Sequence, residues 1–438
     1  MLAVEQVATR FGLLDRLAEA RSRTDELFAI VRREALYERP IPERHRIIFY
    51  IGHLEAFDWN LLRLHLRNLE SFDPALDHLF AFGIDPVGGG LPADQPSDWP
   101  AFSTVQGYCD QLRERLDAGL ADAEILEEPS GKQLLHVAIE HRLMHAETLA
   151  YMLHQLPYDQ KVLQPRVREQ QASPVTPGMV MVPAGSATLG MERFPECFGW
   201  DNEFEAHSVQ VPAFSIDRYK VTHGEYLKFV DAGGYENEAL WSREAWKWKL
   251  DHGISHPIFW KRVDNAWFWR GMFEEFPLPA SLPVYVSHAE ASAYARWVGK
   301  ALPTEAQWHR AAYGTPSGDE RAYPWGNAAP TSVLGNFDFA HWDPVPVTSV
   351  PNSASAFGVT DMLGNGWEWT STVFAPFAGF EPFPFYPGYS ANFFDGRHFV
   401  LKGGSPRTAA CMLRPSFRNW FQPHYQYVYA GLRCVSPS

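Results

Sequence analysis

His141 and His145 stand four residues apart in His141-Arg142-Leu143-Met144-His145-Ala146-Glu147. On a helix that spacing puts both imidazoles on one face, one turn apart, where they can grip a single metal ion without backbone strain. His53, inside another long apolar run (47–66), is a third candidate ligand. Three neutral imidazole nitrogens leave positions open on a metal, and open positions are where chemistry happens. A chain with 17 histidines also yields such pairs as satisfied core or surface residues, so spacing alone leaves both readings open.

Helices must position these side chains. Apolar residues at three- and four-residue spacing predict helices over 1–36, 42–66, 100–120 and 131–156. Ser130 and Gln133 form a capping-box pattern before the last of these, and Pro157 stops it. Four such stretches suggest a four-helix bundle, in which metal sites are built from inward-facing side chains. The Pro/Gly-rich stretch 72–99, with Gly88-Gly89-Gly90, reads as a long functional loop. Residues 159–177 read as a linker between a domain at 1–158 and another at 178–438. Beyond Met179, Gly, Pro and aromatics are dense, helical periodicity fades, and two short helices are expected at 222–232 and 288–298.

Composition narrows the function. At 438 residues the chain holds two or three cores, and 46% hydrophobic with 21% charged residues is globular. A net charge of −14 argues against nucleic acid and anionic membrane surfaces as partners. No uncharged apolar stretch reaches membrane length, and residues 1–21 mix acids and bases unlike a secretory signal. Four cysteines without a C-x-x-C fit a reduced, cytoplasmic setting.

The second half resembles the formylglycine-generating-enzyme (sulfatase-modifying factor) family, which has a C-type-lectin-like fold. The resemblance runs through Met181-Val182-Pro183-Ala184-Gly185, Leu302-Pro303-Thr304-Glu305-Ala306-Gln307-Trp308, Pro324-Trp325-Gly326-Asn327, Gly364-Asn365-Gly366-Trp367-Glu368-Trp369-Thr370, Gly403-Gly404-Ser405 and Gly431-Leu432-Arg433. That family's copper chemistry uses a C-terminal cysteine pair; the stretch 414–427 has no cysteine here, so that chemistry is not expected. The first half resembles a DinB-like four-helix bundle. The two together resemble the ergothioneine sulfoxide synthases and selenoneine synthases. Ovothiol synthases share the arrangement but add a methyltransferase domain, so they are the less expected match.

The resemblance implies an iron(II)- and O2-dependent enzyme that joins sulfur or selenium to the imidazole carbon of hercynine. It implies His53, His141 and His145 as the iron ligands. Zinc is the usual guess for three histidines but cannot activate oxygen by electron transfer, so iron follows from the family and not from the ligand types. Arg418, Asn419 and Trp420 match the family's Arg-Asn-Trp segment, in which Asn and Trp contact hercynine, and the resemblance makes all three candidate hercynine-binding residues; an aromatic face suits its quaternary ammonium. Tyr386 aligns with a proton-donating tyrosine, with Tyr389 close by. Trp367 and Trp369 are expected in the core.

The departures concern the donor. Users of γ-glutamylcysteine carry two arginines after the second helix and an acid after Arg-Asn-Trp. Here the first segment is Leu79-Phe80-Ala81-Phe82-Gly83-Ile84-Asp85-Pro86, and the second position is Phe421. Two positions often held by glutamine are Met144 and Phe57. Phe82 and Phe421 are therefore candidate donor-pocket residues, and a donor without carboxylates fits better than a charged peptide. The expectation leans to a selenoneine synthase using a selenosugar; a sulfoxide synthase using cysteine or γ-glutamylcysteine is the alternative. A zinc-dependent DinB-type thiol transferase and a non-catalytic binding module are the competing classes.

Overall fold

The computed structural model describes residues 10–66, 69–82, 91–121, 128–164, 175–194 and 197–437. The chain divides into two compact units, Met1–Pro165 with Phe194–Phe198, and Arg166–Arg193 with Gly199–Ser438. No helix among the described residues is long and apolar enough to cross a membrane.

The first unit is helical. It holds α1 (Arg10–Phe28), α2 (Ile47–Leu62), α3 (Pro74–Phe82), α4 (Phe102–Ala121) and α5 (Pro129–His154). Helix α2 is buried along almost its whole length, as its near-continuous apolar sequence requires. Several expectations need correction. The first helix stops at Phe28 because the next residues pair with the chain beyond α5: Arg32 N donates to Gln160 O (3.0 Å) and Val162 N to Ile30 O (2.7 Å). Lys161, expected in the linker, is fully buried, and its Nζ donates to Leu153 O at 3.2 Å, placing a cation at the carbonyl end of α5. The start of α5 is not a capping box of Ser130 and Gln133; Glu128 is the N-cap, without a side-chain bond, and Pro129 opens the helix.

The stretch expected to be one long loop contains α3. Asp73 Oδ1 accepts from Leu76 N (3.1 Å), and Pro74 supplies a preset helical φ. Asp77 on α3 accepts from Tyr108 of α4 (2.6 Å) and Trp59 of α2 (3.2 Å), tying the short helix to two long ones. Gly88-Gly89-Gly90, residues 83–86 of the donor segment and 165–174 of the linker lie outside the described residues.

The second unit has the C-type-lectin-like fold, with small sheets joined by long structured loops. Its strands are β1 (Met179–Val182), β2 (Gly185–Leu189), β3 (His207–Val211), β4 (Phe214–Asp217), β5 (Trp260–Val263), β6 (Ala266–Arg270), β7 (Glu275–Pro277), β8 (Trp367–Val373), β9 (Phe399–Lys402), β10 (Asn419–Phe421), β11 (Ala430–Gly431) and β12 (Val435–Pro437). They form sheets of order β1-β4-β12, β10-β9-β8-β11, β2-β3 and β5-β6-β7. The two expected helices are α6 (His223–Asp231), capped by Thr222 and Glu225, and α8 (His288–Trp297), capped by Ser287 and Glu290. Two more were not expected, α7 (Arg243–Asp251) and α9 (Glu305–Tyr313).

Glu368 of β8 is the centre of this unit. It is fully buried and accepts from Lys220 Nζ (2.6 Å), Trp308 Nε1 (2.7 Å), and Arg433 Nε and Nη2 (2.9 Å each). The turn before it holds Gly364, Asn365 and Gly366 at φ of 85°, 62° and 138°. A Cβ on Gly366 would sit 2.7 Å from the Tyr285 ring, so the Gly-Asn-Gly-Trp-Glu-Trp signature is written by the fold. Trp367 and Trp369 are buried.

Burial alone would raise the Glu368 carboxyl, but the charges of Arg433 and Lys220 outweigh burial and hold it at about 2. Its stabilisation is therefore complete above the ordinary glutamate value of 4.5 and is lost as pH falls through about 2. Glu368→Gln is expected to cost about 3 kcal/mol, because it leaves buried cations uncompensated. It should also flatten the acid limb of stability between pH 5 and 2. Urea titrations across that range test this; an unchanged midpoint and acid limb would contradict it.

Candidate metal centre

His141 and His145 share one face of α5, and α2 brings His53 to them. Ring centroids are 5.3 Å apart for His53 and His141, 5.0 Å for His53 and His145, and 4.5 Å for His141 and His145. One nitrogen from each ring lies within 4.8 Å of the others, so a small inward movement of the rings suffices for bonds of about 2.1 Å to a single ion. His53 and His141 are buried and His145 is half-buried.

His53 Nδ1 lies 2.7 Å from the carbonyl oxygen of Phe80. A carbonyl only accepts, so Nδ1 carries the proton and Nε2 is the free donor atom. Helix α3 thus sets the tautomer of a residue on α2. Gly52, the neighbour of His53, makes this possible, since a Cβ there would overlap the ring of Phe80. Aromatic rings enclose the cluster: Phe49 stacks on His53 at 4.8 Å, Phe57 on His141 at 3.4 Å, and Tyr50 sits 5.7 Å from His145.

Burial lowers all three imidazoles. His53 falls to about 4, its bond to Phe80 opposing the shift; His141 and His145 fall well below their ordinary value, through burial and then neighbouring positive groups. All three are neutral near pH 7, the form that ligates metal. The Nδ1 of His145 is buried with no hydrogen-bond partner among the described residues. A neutral, pre-gathered imidazole trio with that unsatisfied atom fits a first-row transition metal and leaves positions open for other molecules.

Sequence reasoning missed what holds the cluster. Behind it, the fully buried Arg142 forks onto Asp58 (2.6 and 3.2 Å) and Glu55 (2.9 Å) of α2. Burial opposes the charge of Glu55, but Arg142 and Arg113 outweigh burial and hold its carboxyl at about 2. The signal was present as ionisable residues inside otherwise apolar helices.

The other candidate residues lie in the second unit, apart from Phe82. Phe82 ends α3, and its side chain lies outside the description. Asn419, Trp420 and Phe421 are strand β10, paired with Leu401, Val400 and Phe399 of β9. Trp420 stacks on Phe374 at 4.2 Å, with Tyr389 edge-on at 5.5 Å. Asn419 Oδ1 accepts from Trp420 N at 2.9 Å. Phe421 is half-buried and stacks on Tyr425 at 5.0 Å. Arg418 is buried, and its guanidinium donates to Glu305 (3.1 Å), Asn202 O (3.3 Å) and Ala375 O (3.1 Å), so it holds the fold in front of β10. Tyr389 is buried against Trp200 at 3.9 Å, whereas Tyr386 is half-buried; burial and then the charge of Asp201 push the Tyr386 phenol up to about 12.

Residues 16–149 match the DinB superfamily and residues 164–437 the sulfatase-modifying factor enzyme 1-like domain. The two matches define a protein with a DinB-type bundle followed by a sulfatase-modifying-factor-type lectin-like domain. The chain is 34% identical to a hercynine oxygenase of Mycolicibacterium smegmatis, over 97% of this chain and 98% of the relative. It is 35% identical to that of Mycolicibacterium thermoresistibile, over 98% and 95%. Ergothioneine biosynthesis protein 1 of Neurospora crassa is 28% identical, over 92% of this chain and 55% of its own length. The chain belongs to the hercynine oxygenase family.

His53→Ala and His145→Ala are each expected to weaken metal binding at least 100-fold. Gly52→Ala should weaken it about tenfold by displacing Phe80 from His53. Cobalt(II) affinity, measured by chelator competition, checks all three; parent-like affinity in either histidine variant contradicts the ligand set.

Proposed function

We propose that this protein is an iron(II)- and O2-dependent enzyme that attaches sulfur from a small thiol to the imidazole carbon of hercynine. The observation that carries this reading is the convergence of His53, His141 and His145, as neutral donors, in a chain of this family. Iron(II) held by these three histidines supplies oxygen activation and open positions where reactants gather. The reaction balances with hercynine, thiol and O2 giving a sulfoxide and water: one C–H and one S–H bond break, one C–S and one S–O bond form, and the second oxygen atom leaves as water with the two hydrogens, so that carbon–sulfur coupling and sulfur oxidation together supply the four electrons that reduce dioxygen.

The chain's own residues have separate tasks. Trp420, supported on Phe374, offers an aromatic face to the quaternary ammonium. Asn419, its carbonyl committed to Trp420 N, keeps its amide donors for the carboxylate. Tyr386, its phenol pushed up to about 12, holds a proton at neutral pH and is the proposed proton donor. Arg418 positions β10 and is not assigned a substrate contact. A cytoplasmic setting belongs to the same proposal; the cysteines form no disulfide among the described residues.

The relatives' names put sulfur ahead of the selenium donor to which the sequence leaned. One observation keeps the selenosugar as a second reading. Where an acid would meet a charged amino-acid donor, the ring of Phe421 lies flat on Tyr425, interplanar angle 7°.

Anaerobic loading with iron(II), followed by hercynine, oxygen and one donor at a time, separates the readings. Cysteine or γ-glutamylcysteine is expected to give a hercynine–sulfur adduct by mass spectrometry, with hercynine-dependent oxygen uptake. Product from the selenosugar alone would overturn the sulfur donor. Activity with zinc and no oxygen uptake would establish a thiol transferase instead, and no product from any donor would end the enzyme reading.

A further inference from the structure

The two helices that bear the histidines meet over mostly apolar surfaces. Such contacts attract without fixing register, because the hydrophobic effect has no direction. A metal site needs register, since its ligands must hold position to within about 0.5 Å. The source of that register lies beside the ligands. Arg142 follows His141 directly, and its acceptors on α2, Leu54, Glu55 and Asp58, follow His53 within a turn and a half. Its five donor contacts are Leu54 O at 2.9 Å, Glu55 at 2.9 Å, Asp58 at 2.6 and 3.2 Å, and Thr24 of α1 at 3.4 Å. The acceptors are themselves held: Glu55 also takes Arg113 of α4 at 2.7 Å, and Arg113 grips Asp25 of α1 at 2.7 and 2.8 Å. Helices α1, α2, α4 and α5 thus share one ionic network, and Arg142 is its buried node.

Buried ion networks of this kind add little to stability compared with apolar residues of the same volume, and their best-attested use is to fix one register. Sliding α5 along α2 by a single turn would break every one of the fork's bonds to α2. We propose that Arg142 is a positioning residue that locks α5 onto α2 and so sets the spacing of His141 and His145 from His53. The inference rests on the reading of these histidines as metal ligands.

Three variants of the full chain test it. The triple variant Glu55→Met, Asp58→Leu, Arg142→Met replaces the node with apolar bulk, Arg142→Lys keeps charge without the fork, and Arg113→Met removes a partner that ties Glu55 to α4 and α1 but does not bridge α2 to α5. Each is measured for melting temperature without metal, cobalt(II) affinity and the visible cobalt spectrum. The triple variant is expected to melt within a few degrees of the parent or above it, to bind cobalt about 10- to 100-fold more weakly, and to show altered bands. Arg142→Lys should shift affinity and bands the same way, and it decides the matter if the triple variant does not fold. Arg113→Met should keep the parent's affinity and spectrum. A folded Arg142 variant with the parent's affinity and bands overturns the proposal, as does an equal loss in Arg113→Met. A parent protein that binds no cobalt overturns the ligand reading instead.

Discussion

The contact between α2 and α5 has two demands on it, one on each side of its axis. Towards one side it gathers three imidazoles that carry no charge near neutral pH. Towards the other it buries a guanidinium that cannot lose its charge. The imidazoles need a low-dielectric surrounding to stay neutral; the guanidinium needs carboxylates in that same surrounding. Adjacent positions on one helix serve both, because His141 and Arg142 point about 100° apart. Helix α3 completes the arrangement by turning a backbone carbonyl onto His53.

The second unit solves its packing problem by similar means. A single carboxylate, Glu368, collects Lys220, Arg433 and the indole of Trp308 in the interior. With so little regular sheet, long loops need fixed attachment points, and a fully bonded ionic centre supplies them where apolar packing alone would leave their paths loosely defined. On this scaffold β10 presents Asn419 and Trp420 on a backbone braced by the buried Arg418. The residues proposed to meet hercynine are thus on a strand, which holds side chains more rigidly than a loop would.

Much of this was legible in the sequence, for physical reasons. The helical period placed His141 and His145 on one face and made α2 a buried helix. The two short helices expected at 222–232 and 288–298 are α6 and α8, whose capping boxes at Thr222 and Ser287 are local features of the sequence. What was lost was local signal overridden by context. Asp73-Pro74 is a sound helix start, yet the proline- and glycine-rich surroundings of α3 masked it, and with it the carbonyl that orients His53. Thr304 and Gln307 form a capping box, but α9 is only nine residues long and lies in a stretch dense in glycine, proline and aromatics, where helical periodicity is weak. The motif makes Arg418 a candidate beside Asn419 and Trp420; what the motif does not reveal is that its Nε and Nη1 bond Glu305 and two carbonyls. The ionic node at Arg142 depends on pairings between distant helices, which no single-helix pattern encodes.

X-ray absorption at the iron edge of the anaerobically loaded protein addresses the central claim most directly. One ion per chain with three imidazole nitrogens at about 2.1 Å in its coordination sphere is the predicted result. An ion bound through sulfur, or through fewer than three imidazoles, would contradict the account.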